Sequence, residues 1–456
     1  MTGTTPIPRR EFLERAAVAG GLVGGLAASL PAAAWARVPG ANEVMSIGVI
    51  GCGPRGQQLA RQFRLRGEAK SVSVVRVCDV YRPRLRAATE MLGLDATGGT
   101  MEYREIIDDP NIDAVVIATP DHWHAKMSIE ALEAGKAVFV ETPLSHTIEQ
   151  AVAIRDAVDR TGGTFAVAAQ RCSQDRFWQL RQALAEQRIG RVTWSQGSFA
   201  INGRIPMFAR PKEGGVSPNL RANEFVWWDR WLGTEWDLAP DTPLSEDRFF
   251  RYQKYYDYSN GMAGELLFGV LAPMLLSIAG ARGEQPRRVV SGGGLYNFFD
   301  GRETPDQLMA VLDFPGEHSI VMAASGTSSK GLEMTFRGRH GYATVNDDVV
   351  RLQEDGAFYP EFRKGSKDMI DAGMSRDAKG RWIPTPPAGE VGYELEIGKR
   401  PDVINNFIES VRGEADPDCG IDLAFAAMLG ARMMAEGLRL NQVMLWDKDA
   451  QAMASV

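Results

Sequence analysis

The hydrophobic positions change period along the chain, and those changes mark out its elements. Five nearly all-apolar runs, residues 45–50, 72–78, 112–118, 137–140 and 164–169, alternate with residues 55–66, 82–92, 124–134 and 147–160, where apolar side chains recur at helical spacing. A strand apolar at every position is buried on both faces, so the alternation predicts a parallel sheet covered by helices on either side. Beyond residue 170 the pattern turns to β-rich runs between Gly, Pro and Asp turns: 191–200, 287–296, 307–314, 318–324 and 332–337. These predict a second, open and mostly antiparallel sheet. Two long segments rich in Gly, Pro and charge, 203–223 and 354–400, are expected to be lids, assembly arms or disordered loops.

The first 36 residues stand outside this scheme. Pro8-Arg9-Arg10-Glu11-Phe12-Leu13 is a twin-arginine block, followed by an uncharged Ala, Gly and Leu stretch and the A-x-A site Ala34-Trp35-Ala36. The expectation is a cleaved export signal read by the twin-arginine machinery, with a periplasmic or otherwise exported product. The stretch is too short and small-residued for a stable span, and no later segment approaches the roughly 20 apolar residues a membrane helix requires. Over 456 residues, 44% hydrophobic and 24% charged composition is that of a globular protein of two or three domains. A net charge of −7 without any basic tract argues against nucleic acid as a partner. Cys52, Cys78, Cys172 and Cys419 are scattered, with no spacing that suggests zinc or a disulfide framework.

The first candidate chemistry is the turn Gly51-Cys52-Gly53-Pro54-Arg55-Gly56, a G-x-G-x-x-G between a strand and a helix. There Gly51 makes the turn, Gly53 admits a pyrophosphate and Gly56 lets helix and strand pack. The second strand ends at Asp79, 23 residues past Gly56, where a carboxylate reaches an adenosine ribose. Residues 44–170 are therefore expected to form a Rossmann dinucleotide-binding domain, with residues 171–456 as a second, α+β domain, to which the family resemblance described next assigns substrate binding and oligomerisation. Asp79 favours NAD. Arg82, Arg84 and Arg86 leave NADP as the alternative, unless they form a solvated helix face.

Thr119-Pro120-Asp121-His122-Trp123-His124 followed by Glu141-Thr142-Pro143-Leu144 resembles the Gfo/Idh/MocA oxidoreductases, the glucose–fructose oxidoreductase and inositol dehydrogenase family. Trp231-Leu232-Gly233, Tyr256-Asp257-Tyr258-Ser259-Asn260-Gly261 and the stretch from Asp300 to Asp306 are similar to its exported, sugar-associated branch. The resemblance implies a carbohydrate substrate, a second-domain sheet that often builds a homo-oligomer, and cofactor contacts from Thr119, Pro120, His124 and Glu141. It also places Trp123 near the nicotinamide. Gln170 and Arg171, after the fifth run, are candidates for sugar hydroxyls at the carboxyl edge of the sheet.

The family's Glu-Lys-Pro has become Glu141-Thr142-Pro143, and aligning its Asp-x-x-x-His-x-x-Asp on Gly261 gives Glu265, Gly269 and Ala272. Threonine cannot replace the lysine as an acid or base near neutral pH. The groups left for that role are Tyr256, Tyr258, Glu265 and His124, with packing as the alternative for the tyrosines. Three functions stay open. One is a sugar oxidoreductase with tightly bound NAD. Another is glycoside cleavage or epimerisation through transient C3 oxidation, a reading supported by NAD-dependent α-N-acetylgalactosaminidases that also depart from Glu-Lys-Pro. The third is a catalytically degenerate nucleotide-binding protein.

Overall fold

The computed structural model describes residues 44–95, 97–209, 226–346, 349–355, 374–376, 382–384 and 392–456. The export signal expected over residues 1–36, and much of 203–223 and 354–400, lie outside these. The fold is mixed α/β as the pattern predicts, a six-stranded parallel Rossmann sheet joined to a ten-stranded, mostly antiparallel one.

The first sheet contains β1 (Met45–Ile50), β2 (Val72–Cys78), β3 (Gly99–Thr100), β4 (Ala114–Ile117), β5 (Ala137–Val140) and β6 (Phe165–Val167), in the order β3-β2-β1-β4-β5-β6. Successive side chains enter opposite cores. Ala114 and Val116 join one hydrophobic cluster, and Val115 and Ile117 the other. That is why these strands read as unbroken apolar runs. Eight helices of nine or more residues are described: α1 (Pro54–Arg64), α2 (Arg82–Leu92), α3 (Asp121–Glu133), α4 (Ile148–Thr161), α5 (Asp175–Ala185), α6 (Phe268–Ala279), α7 (Val403–Val411) and α8 (Ile421–Leu440). Helix α4 starts where Thr147 and Gln150 form a reciprocal capping box and stops at Gly162 in the left-handed region, φ +62°.

The second sheet runs β16-β13-β12-β11-β7-β10-β9-β8-β17-β18. In chain order its strands are β7 (Val192–Ala200), β8 (Arg288–Gly294), β9 (Gln307–Phe314), β10 (His318–Ser325), β11 (Met334–Gly338), β12 (Gly341–Val345) and β13 (Val350–Glu354). A separate hairpin, β14 (Met374–Arg376) and β15 (Trp382–Pro384), follows, and then β16 (Gly392–Glu394), β17 (Met444–Asp447) and β18 (Ala452–Ser455). Every neighbouring pair in the large sheet is antiparallel except β7 with β10. One face is buried with α6 and α8: Leu308, Ala310 and Leu312 of β9 alternate with exposed Met309 and Val311.

The two halves are interlocked. Helix α7, far along the chain, packs on the first sheet, with the Phe407 ring 5.1 Å from Phe139 and 6.2 Å from Phe63. Asp402 caps it by accepting from the Ile404 and Asn405 N–H groups. A third cluster, aromatic-rich, draws Val226, Trp228, Trp231, Phe249, Tyr255 and Tyr258 onto Tyr81 just beyond β2. Within it Tyr81 bridges Val226, Trp227 N–H donates to the Val80 carbonyl at 2.9 Å, and Phe249 lies 5.4 Å from the Tyr81 ring.

Candidate active site

The glycine turn is closed by steric necessity. Gly51 has φ +91°, and a Cβ there would lie 2.5 Å from the Ala118 carbonyl oxygen. At Gly56 a Cβ would fall 1.8 Å from the Gly51 oxygen, whereas at Gly53 it would meet nothing nearer than the Arg84 guanidinium at 3.8 Å. Two glycines thus permit close packing and the middle one faces open space, which is the cradle a dinucleotide pyrophosphate fits. Asp79 is fixed beside it: one carboxylate oxygen accepts from Cys52 N–H and the other from Tyr81 N–H, each at 2.7 Å.

A cavity of about 660 Å³ opens from this turn, within the range of ligand pockets. Gly51, Gly53, Pro54, Arg55, Asp79, Thr119, Pro120 and Trp123 line it, as does Glu265. Its roof is Phe249, Phe250, Tyr252 and Gln253, and Phe199, Ile201, Ile205, Met207 and Phe208 form a further wall. Arg84 also lines it, with its guanidinium 5.1 Å from the Phe249 centroid and 5.4 Å from Phe250. A solvated face describes Arg82 and Arg86 but not Arg84.

Several expected residues are placed elsewhere. Tyr258 is fully buried, its hydroxyl accepting from Arg248 at 3.1 Å and its ring against Trp231 and His122. Tyr256 lies near Arg439 on α8, and burial pushes its phenol up to about 12. Neither tyrosine lines the cavity. Tyr103 lines it, and so does Tyr252, which stands in a three-residue 3₁₀ turn, Tyr252–Lys254, without any hydrophobic period to reveal it. Burial and the carboxyls of Glu265, Asp121 and Glu141 raise its phenol, so it is no ready base either. His124 is a tie between loops, with Nδ1 2.8 Å from the Pro143 carbonyl and Nε2 3.0 Å from that of Thr119. Glu141 sits behind the cavity wall, bonded at 2.6 Å to Arg55, which does line it. Gln170 is exposed, and neither it nor Arg171 lines the cavity. They follow β6, three strands from β1 and thus about 14 Å away at the usual strand spacing.

Glu265 occupies a π-helical turn, Ala263–Leu267, just before α6. Turns of this kind are rare and recur at functional sites. Ser259 Oγ donates to Glu265 at 2.9 Å, and Gly264 packs where a Cβ would lie 3.2 Å from Pro143 Cγ. Burial pushes the Glu265 carboxyl up to about 7, against hydrogen bonds from Ser259, Asp121 and Gln253 that favour its anion. One turn on, a Cβ at Gly269 would meet no atom within 4 Å, so the position left by the family histidine is empty space.

The histidines give a direct check on this burial. Desolvation lowers His122 to about 3 and both His146 and His318 to about 4. In an NMR titration their ring signals should hold the neutral-form positions from pH 8 down to about 5. Titration of any of the three near 6.5 would contradict the packing. Because unfolded histidine protonates near 6.5, each contributes stability above that pH, lost as pH falls towards its folded value.

Comparison with known proteins agrees with this geometry. The Gfo/Idh/MocA family model, described as oxidoreductase family, NAD-binding Rossmann fold, matches residues 45–169. The α-N-acetylgalactosaminidase of Shewanella oneidensis is 35% identical over 175 residues, covering 34% of this chain and 38% of that protein. A glycosyl hydrolase family 109 protein of Shewanella baltica is 34% identical over the same length. The chain thus spans little more than a third of the length of the curated relatives it matches. Among solved structures, a levoglucosan dehydrogenase with NADH and levoglucosan superposes with a TM-score of 0.60 at 18% identity, covering 91% of this chain and all of that one. A WlbA dehydrogenase from Chromobacterium violaceum, with NADH and UDP-GlcNAcA, gives 0.60 at 17%, covering 90% and 98%. At such identities these two show the fold. Glycine cradle, strand order and family match together make residues 45–169 an NAD-binding Rossmann domain similar to that of the Gfo/Idh/MocA oxidoreductases.

Proposed function

We propose that the protein is an NAD-dependent enzyme acting on a sugar derivative, that it holds its cofactor through turnover, and that its reaction is redox-neutral. One observation carries the reading. A single cavity runs from the glycine turn to the Glu265 carboxyl under a roof that the second domain fastens onto Tyr81. NAD, when bound, accepts a hydride from a sugar carbinol and returns it. Gly51, Gly53 and Asp79 hold the dinucleotide, and Phe249 and Phe250 close over it and exclude water. Glu265 takes the carbinol proton. A carboxyl at the cavity wall favours an enzyme over a degenerate binder.

The glycosidase relatives favour transient oxidation as the chemistry. A ketone at C3 acidifies the C2 proton; a base removes it as the C1–O bond breaks. Water then adds at C1 and the ketone is reduced back. The test has two parts. Protein purified without added cofactor and then denatured should release about one NAD per chain. The same protein should turn over p-nitrophenyl α-N-acetylgalactosaminide in heavy water with deuterium entering C2 and no net NADH. An empty protein that also fails to bind NAD would end the proposal; cleavage without deuterium entry would end the C3 route.

Export through the twin-arginine system belongs to the same reading, since a pathway for folded proteins carries a bound cofactor along. So does self-association. The outer face of the large sheet exposes Trp194, Val290, Met309, Val311 and Tyr342, with Val311 paired directly to Val290. Sedimentation should show at least a dimer, reduced to monomer by Met309→Asp with Val311→Asp. A monomeric wild type would remove this part.

A further inference from the structure

Asp121 is the first residue of α3, follows Pro120 of the cavity wall, and is 1% exposed. Its Oδ2 accepts from the Asn260 N–H at 3.3 Å, and the preceding residue, Ser259, donates to Glu265 Oε1 at 2.9 Å, which sets the two carboxyls side by side. Among the described residues neither carboxyl has an ion-pair partner. Asp121 is sealed from water and Glu265 opens only onto the cavity, and two carboxylates this close without a cation cannot both stay charged. The neighbouring loop is rigid in a way that fixes their roles. Ser259 Oγ accepts from Gly261 N–H at 3.1 Å and so turns its own proton towards Glu265, while Asn260 is held by the His146 carbonyl and Arg432.

We propose that Asp121 and Glu265 form a one-proton carboxyl pair, in which Asp121 carries the proton and donates it as a hydrogen bond, leaving Glu265 as the anion that takes the proton of the sugar hydroxyl. This rests on the function proposed above. The pair stands in for the lysine and histidine whose positions are Thr142 and Gly269. As the substrate C–H electron pair leaves with its hydrogen to NAD, the hydroxyl O–H bond breaks and its proton forms a new O–H bond on Glu265. Both carboxyls are then neutral, the state burial favours. The proton returns to the substrate when the hydride does. Glu265 is the catalytic residue; Asp121, which does not reach the cavity, is a positioning residue.

The groups facing the pair support this division. Glu141 is paired with Arg55 at 2.6 Å, Tyr252 is held in its phenol form, and Arg84 lies against the Phe249 and Phe250 rings. On α3, His122 and His124 are held neutral by burial, as is His146 on the following loop. Asp121 lies well above the usual carboxylate range, first through burial and then through the Glu265 charge.

Infrared spectroscopy tests the pair without any substrate. Wild type should show a protonated-carboxyl band at pH 8 that Asp121→Asn lacks; no such band in wild type overturns the proposal. Turnover of p-nitrophenyl α-N-acetylgalactosaminide, with NAD occupancy measured alongside, tests the division of roles. Glu265→Gln should retain NAD and lose about 10²–10⁴-fold in kcat, with partial recovery in Glu265→Asp. Wild-type activity should fall on the acid side of pH 7. Asp121→Ala, which removes the donor, should move that limb to higher pH by roughly one unit, and Asp121→Asn, which keeps a donor, should restore it. An active Glu265→Gln, or a limb unmoved in Asp121→Ala, overturns the inference and leaves the function standing. An inert wild type with NAD bound overturns the function and the catalytic role together.

Discussion

Gly56→Ala is expected to lose both stability and NAD, while Gly53→Ala loses NAD alone. A methyl at Gly56 would sit 1.8 Å from the Gly51 oxygen and 2.9 Å from its carbonyl carbon, both backbone atoms. Nothing there can rotate away, so α1 must lift off the turn it closes. Overpacking of this kind costs about 1–3 kcal/mol and more when backbone has to move. At Gly53 the methyl has room, with Arg84 at 3.8 Å, but it occupies the side of the turn that faces the cavity. Gly53→Ala should therefore melt within a degree or two of wild type and bind NAD at least tenfold more weakly. Thermal unfolding and calorimetric NAD titration of the two variants decide it. Equal melting temperatures, or unimpaired NAD binding by Gly53→Ala, would refute the assignment of packing to one glycine and phosphate approach to the other.

The second large effect is on stability alone. Asp306 is fully buried, and its carboxylate accepts from the N–H groups of Tyr296, Asn297 and Phe298 at 3.0, 2.7 and 2.8 Å. Asp306→Ala leaves three donors without that acceptor, at a cost of about 3 kcal/mol or more. The loop it organises carries Asp300, whose carbonyl accepts from the buried Lys254 at 2.8 Å, while Glu303 and Thr304 donate to the Lys254 carbonyl. Loosening this loop should reach Tyr252 and Gln253 in the cavity roof. Urea unfolding should show the lower midpoint, and a change below about 1 kcal/mol would mean that the carboxylate contributes little.

What the sequence revealed follows from how many faces each element buries. Strands β1 and β5 are covered on both sides, so their ends can be read off the apolar runs. Helix α2 likewise ends at Gly93, which takes φ +64°. Strand β3 has two residues and carries no period at all. Strands β17 and β18 arrive from the far end of the chain to extend the second sheet, a pairing no local pattern encodes. The nucleotide cradle was legible because glycine spacing there reports backbone geometry. The group proposed here for proton transfer was less so. Tyr256 and Tyr258 attracted attention as a cluster, yet their environments are a helix face and an aromatic core, and Tyr252, which does line the cavity, stands a few residues earlier in an irregular turn. Asp121 lay inside the stretch that carried the resemblance and passed unremarked, because a carboxylate opening a helix is ordinary until another carboxylate is found against it.

The docking of α7 on the first sheet sets an order for biosynthesis. Phe63 and Phe139 stay without their third ring until residue 407 has left the ribosome, so the nucleotide half remains unfinished until the chain has been made well past the second sheet's first strands. A fragment ending at residue 170 would present that apolar face to water and is a candidate for aggregation, not a free-standing binding module. Cofactor capture is correspondingly expected only after α7 has been made and docked.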